Sequence, residues 1–120
     1  MTKVITPKGK KVCFFTGDPD GSWNDKLVRF HIIGRGGNSS YKENPDNIVW
    51  AKHKFNMMWE KNWNEKIKIP NVLKAYKIMK DLDEQFFFQQ LGKMEQFLNK
   101  EKYNKVLTFF NLDENWNQIK

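Results

Sequence analysis

The stretch KLVRFHII, residues 26–33, running into GRGG at 34–37, decides how the fold is read. Apolar and polar side chains alternate through it, which predicts a strand. Leu27, Arg29 and His31 fall on one face, with Val28, Phe30 and Ile32 on the other. Glycines at 34, 36 and 37 flank Arg35 directly afterwards. Such a run suits an ordinary strand end, and equally a backbone that approaches a phosphate closely.

Working outward, the residues before this strand read as a second one. VCFFT at 12–16 is β-prone, and GDPDG at 17–21 is dense in turn formers. After it, residues 34–46 form a polar loop that ends near Pro45. Asn47 is placed to lead a helix. Ile48, Ala51, Phe55, Met58 and Trp59 then recur at helical spacing. On such a helix Lys52 and Asn56 lie four apart on one side, and His53 stands three before Asn56. Ile69-Pro70 marks a boundary, and residues 71–82 and 84–99 each carry a helical period. Gly92 either weakens the latter helix or permits a close approach. The end, from Lys105, reads as a helix or a strand that docks on the rest. There is no internal repeat. The predicted class is α+β, with a basic lead-in at 1–11, a strand-strand-helix unit at 12–68 and a mainly helical extension at 69–120 packing on it.

The chain has 120 residues and a formal charge of +7, and 15% of its residues are aromatic. That length and aromatic content predict one folded domain. The positive balance favours an acidic partner, with nucleic acid foremost. All basic residues but Arg29 and Arg35 are lysines, which predicts attraction to a phosphate backbone more than base reading. Lys52, Lys54 and Lys61, with the two arginines, are the candidate contacts. Phe86-Phe87-Phe88 and Phe109-Phe110 read as core, not as stacking platforms. Cys13 is the only cysteine, which excludes an intrachain disulfide and a multi-cysteine zinc site. No long apolar segment is apparent, so no membrane role and a cytoplasmic setting are expected.

A histidine late in the second strand, an asparagine after the loop and another asparagine nine residues on form a recognisable constellation. His31, Asn47 and Asn56, with the run HIIGRG, resemble the HNH nuclease family in its variants with asparagine at the last position. The resemblance covers roughly residues 13–63. It implies a ββα-metal unit and hydrolysis of phosphodiester bonds in DNA, RNA not being excluded, in a phage or mobile-element setting. His31 would be the general base, a task its near-neutral titration suits. Asn47 would orient it. Asn56 would offer a carbonyl oxygen to Mg²⁺ or Mn²⁺, and Arg35 would clamp a phosphate. The oligomeric state stays open, a homodimer being one outcome because many nucleases pair to cut both strands.

Two departures from the family qualify these expectations. Many members carry a metal ligand just before the catalytic histidine, where this chain has Phe30. Asp18 or Asp20 is the preferred replacement ligand, ahead of Asp25 and Glu60. The family's zinc-binding cysteine pairs correspond to Cys13 and Thr16, then Lys52 and Phe55. No structural zinc is therefore expected, and packing among Phe14, Phe15, Trp50, Phe55 and Trp59 would replace it. His53 and Glu60 are additional site candidates. Beside the endonuclease stand two alternatives: a nucleic-acid-binding protein on a degenerate HNH scaffold, and a small inhibitory interaction module.

Overall fold

The computed structural model describes residues 6–7, 9–34, 41 and 44–119. Arg35, with Gly36 and Gly37, lies outside the described residues. Two strands, β1 (Leu27–His31) and β2 (Ile48–Lys52), pair antiparallel. Leu27 stands opposite Lys52, Phe30 opposite Val49 and His31 opposite Ile48. Five helices follow: α1 (His53–Trp59), α2 (Trp63–Lys66), α3 (Leu73–Leu82), α4 (Glu84–Phe97) and α5 (Lys100–Phe109). The result is a small α+β domain, a short β-hairpin followed by a C-terminal helical bundle. No described helix is long and apolar enough to cross a membrane.

Two expectations about the first half are corrected. The helix expected from residue 48 begins only at His53, because 48–52 is strand. Ile48, Val49 and Trp50 are β-branched or aromatic, and pairing with β1 gives their backbone a ladder that helical spacing alone does not outweigh. Lys52 therefore ends a strand and shares no helix face with Asn56. The strand expected at 12–16 is a tight turn with a single bridge, Val12 to Pro19. Its N–H groups find partners without a ladder. Cys13 donates to the Asp18 carbonyl at 2.8 Å, Gly17 to Cys13 at 2.7 Å and Phe14 to Trp50 on β2 at 2.7 Å. Gly17 takes φ +79, a conformation that favours glycine.

The helices start where side-chain caps are available. Asn62, Asp83 and Asn99 accept from the backbone N–H of Glu65, Phe86 and Lys102, opening α2, α4 and α5. The chain reverses after α5 through Asn111 at φ +57, which asparagine tolerates. Gly92 faces Trp116 without a close approach that requires glycine. A methyl group there would meet the Trp116 ring at 3.6 Å, and Trp116 stacks on Phe88 with centroids 5.7 Å apart.

One apolar core joins the two halves. Phe15 packs edge-on against Phe30 at 5.4 Å and Phe55 at 5.8 Å, and Phe30 against Trp59 at 5.2 Å. Tyr76 of α3 then meets both Trp59 and Trp63. The Phe14-Phe15, Trp50, Phe55 and Trp59 side chains all belong to this cluster or pack on it.

Candidate functional site

The connection between the strands, residues 32–47, is long for a hairpin, and unsupported chain of that length is uncommon in a compact domain. Among its described residues Asn47 makes the central tie. Asn47 is fully buried, the only buried polar or charged residue among those described. Its amide oxygen accepts the Ile33 N–H at 2.7 Å, and its amide nitrogen donates to the Ile33 carbonyl and the Tyr41 carbonyl, each at 3.1 Å. Its own carbonyl accepts the Ile32 N–H at 2.9 Å. Asn47 thus ties the chain leaving His31 to the chain entering β2. The lead-in to Asn47 is itself ordered, because Asn44 accepts the Asp46 N–H at 2.9 Å ahead of Pro45.

A second tie was not foreseen from sequence. The Tyr41 hydroxyl donates to the Leu82 carbonyl at the end of α3, at 3.0 Å. The only signal for it was an isolated aromatic residue in a polar loop. Together the two side chains fix the strand end on one side and the helical bundle on the other.

His31 is the last residue of β1 and half-buried, with a partner of its own in the fold. Arg29 lies two residues before it, opposite Trp50, and is likewise engaged. In an antiparallel pair directly opposed residues share a face, so Arg29, His31, Trp50 and Lys52 present one side of the hairpin. Phe30 presents the other. Its exposure is 0%, and its ring is locked between Phe15 and Trp59. The position where many HNH enzymes carry a metal ligand is therefore part of the aromatic core.

Asn56 sits half-buried on α1, between Phe55 and the exposed Met57. Trp59, one turn on, is the residue that packs on Phe30. The elements carrying His31 and Asn56 are thus adjacent. His53 is the first residue of α1, exposed, its N–H donating to the Lys26 carbonyl at 2.8 Å. Glu60 caps the far end of α1 and is exposed.

The aspartates gather elsewhere. Asp18 binds the Lys52 ammonium at 2.6 Å, and Asp25 lies 3.2 Å from Lys54 and 3.7 Å from Lys52. Asp20 accepts the Leu27 N–H at 2.9 Å and pairs with Lys11 at 3.3 Å. Lys52 and Leu27 face each other at the end of the hairpin opposite His31. Four strand steps, about 13 Å, separate Leu27 from His31, so the structure does not bring Asp18 or Asp20 to the histidine. Among the described residues there is no group of three or more His, Cys, Asp and Glu side chains spaced to hold a metal ion.

This aspartate corner also contains the zinc-knuckle positions. Burial pushes the Cys13 thiol up, but the Thr16 hydroxyl and the N–H groups of Lys52, Thr16 and Phe15 outweigh it and leave the thiol lowered. Cys13, Thr16 and Lys52 therefore do converge, with Phe55 close by on Phe15. One sulfur beside an ammonium and a phenyl ring does not fit a zinc ion, which needs four nitrogen or sulfur ligands. The corner is closed instead by the Lys52–Asp18 pair and the rings. Lys54, extended over Phe55, adds its pair with Asp25.

These ion pairs make stability depend on pH in a defined direction. The Lys52 ammonium lowers the Asp18 carboxyl, the Leu27 N–H lowers Asp20 and Lys54 lowers Asp25. Groups depressed in the folded state contribute stability above the unfolded carboxyl value, about 4. They lose it as pH falls through the lower folded values. Lys52 is raised, chiefly by Asp18, so its contribution is present at neutral pH and lost at alkaline pH as it deprotonates. Urea midpoints measured against pH are expected to fall on the acid side below about pH 4. A variant with Asp18, Asp20 and Asp25 all replaced by Asn is expected to flatten that limb. An unchanged limb would show that these pairs do not carry it.

Comparison with known proteins adds no family to this geometry: no protein-family model, curated protein or solved structure matches the chain.

Proposed function

We propose that this protein is a divalent-metal-dependent nuclease of HNH-like ββα design, with His31 as its general base. The observation that carries the reading is the bracing of the segment after His31 by the buried Asn47. The bracing supports the long connection and also fixes the backbone that follows His31. A base needs that backbone fixed, because an imidazole must keep one orientation toward the water it deprotonates. The order found, strand histidine, loop, returning strand, helix with Asn56, differs from the expected one, in which His31 ends a second strand and Asn47 leads the helix. The reading keeps only the sequence of His31, Asn47 and Asn56.

In this mechanism neutral His31 accepts a proton from the attacking water. Arg29 shares its face, and Arg35 follows on the loop; both are suited to hold the backbone phosphates in register. Asn56 would offer a cation its amide oxygen, which is uncharged and hard, as Mg²⁺ or Mn²⁺ prefers. A single amide is a weak site, and no group of three or more His, Cys, Asp and Glu side chains among the described residues adds to it. Such an ion, when bound, supplies charge stabilisation at the scissile phosphate.

Incubation with supercoiled plasmid tests this. The protein is expected to nick it with Mg²⁺ or Mn²⁺ and to stop when EDTA is added. Asn56→Ala is expected to be slower by about 10–100-fold or more at fixed metal concentration. Equal rates for Asn56→Ala and the parent would remove Asn56 from the mechanism.

Phe30 favours a second reading. A fully buried ring in the usual ligand position suits a scaffold that binds nucleic acid without cutting it. On that reading binding survives and no nicking occurs with either ion.

A further inference from the structure

A cleft of about 670 Å³ opens where α1 runs into α2, closed on its far side by the end of α4. Of the contacts expected from sequence, only Lys61 lines it. Trp63 is the buried wall, at 7% exposure, and Phe97, the last residue of α4, stands 56% exposed at the rim. Lys61 and Lys93 lie on either side, both exposed. The amides of Asn64 and Gln96 complete the opening, and no hydrogen bond within the described residues engages either side chain.

The charge here is one-sided. No acid lines the cleft. Glu60 precedes Lys61 at its edge, and the Glu65 carboxylate is turned to Lys68 at 3.4 Å. Lys66 lies over the rings of Trp63 and Trp59, at 4.6 and 5.4 Å. Its ammonium is lowered by burial and then by the neighbouring Lys93. Lysines crowded together without a carboxylate leave a field that an anion would relieve.

An exposed ring, amides that both donate and accept, and flanking lysines match the chemistry of one unpaired nucleotide. The ring offers a stacking surface, the amides address base edges, and the ammonium groups meet phosphates. A duplex keeps its bases stacked inside and has no base to give such a cleft. We infer that the Lys61–Phe97 cleft binds an unpaired nucleotide of a single-stranded segment, so that the preferred substrates are single-stranded or branched, the locally unwound regions of a supercoiled plasmid included. The inference deepens the nucleic-acid reading above and rests on it. The cleft opens at the end of the helix that carries Asn56, so a strand held there continues along α1.

Fluorescence anisotropy in EDTA, where no cleavage occurs, tests it on the intact chain. The probes are fluorescein-labelled oligothymidylate, the same strand annealed to oligoadenylate, and an abasic deoxyribose-phosphate oligomer. An oligouridylate arm separates RNA from DNA. The single strand is expected to bind more tightly than the duplex. Phe97→Ala is expected to weaken it about 5- to 150-fold, the range set by loss of one stacked base, and to leave the abasic oligomer unaffected. Replacing Lys61 and Lys93 together by Gln is expected to reduce the log–log salt slope by about 1.4. Because Phe97 is largely exposed, its loss leaves folding intact, which circular dichroism checks. Unchanged single-strand affinity in Phe97→Ala, or an abasic oligomer bound as tightly as oligothymidylate, would overturn the inference. Phe97-dependent binding without nicking fails only the hydrolytic reading. Nicking with Phe97-insensitive binding fails only this one.

Discussion

Asn47→Ala is expected to remove about 3–5 kcal/mol of stability, a large share of the roughly 5–15 kcal/mol that holds a domain of this size. The magnitude follows from what is left behind. The Ile33 N–H and the Ile33 carbonyl lose this partner in a region where Asn47 itself has no solvent exposure, and the Tyr41 carbonyl keeps only its bond from the Asn44 N–H. An unsatisfied buried polar group costs about 1–3 kcal/mol, and some of the three regain water as the loop loosens. Asn47→Asp separates the parts. It keeps an acceptor for the Ile33 N–H but loses both donated bonds and buries a charge, so it is expected to be no better than Ala. Asn44→Ala is the control, removing only one exposed bond to Asp46 and costing about 1 kcal/mol. Urea denaturation measures all three. A loss below about 1 kcal/mol for Asn47→Ala would mean the loop holds itself.

Much of this layout was legible in the sequence, for local reasons. The alternation in KLVRFHII is specific for a strand, and Phe30 and Ile32 do turn to the core, at 0% and 1% exposure. The helices over 73–82 and 84–97 follow their apolar periods closely. The misreadings arise where local pattern competes with pairing. Ile48, Ala51 and Phe55 fit a helical stripe equally well whether or not 48–52 joins a sheet, and only the partner strand decides. VCFFT has β-prone composition but is held as a turn by Asp18 and Gly17.

At the site, Asn47 stands out in the sequence only through the family resemblance. Its bonds run to the backbone beyond His31, and its role toward the histidine is a proposal. The commitment of Asp18 to Lys52 could not be read, because the two are thirty-four residues apart. Nor could the Tyr41–Leu82 tie, for the same reason. Long-range polar pairs leave no periodic trace in the chain.

His31→Ala is expected to lower the nicking rate about 10²–10⁴-fold, the usual contribution of a positioned base. It is expected to change stability little by comparison, since His31 is half-buried at a strand end and outside the aromatic cluster. Removing the imidazole leaves the Asn47 bonds in place, because they run to backbone groups and do not involve the histidine side chain. A small base in solution should therefore be able to enter and take over the proton. Single-turnover nicking of supercoiled plasmid by His31→Ala, with and without added imidazole, is the most direct measurement. The account predicts loss of cleavage and its partial return as imidazole rises, with nucleic-acid binding unchanged throughout. Nicking by His31→Ala at the parent rate would contradict it.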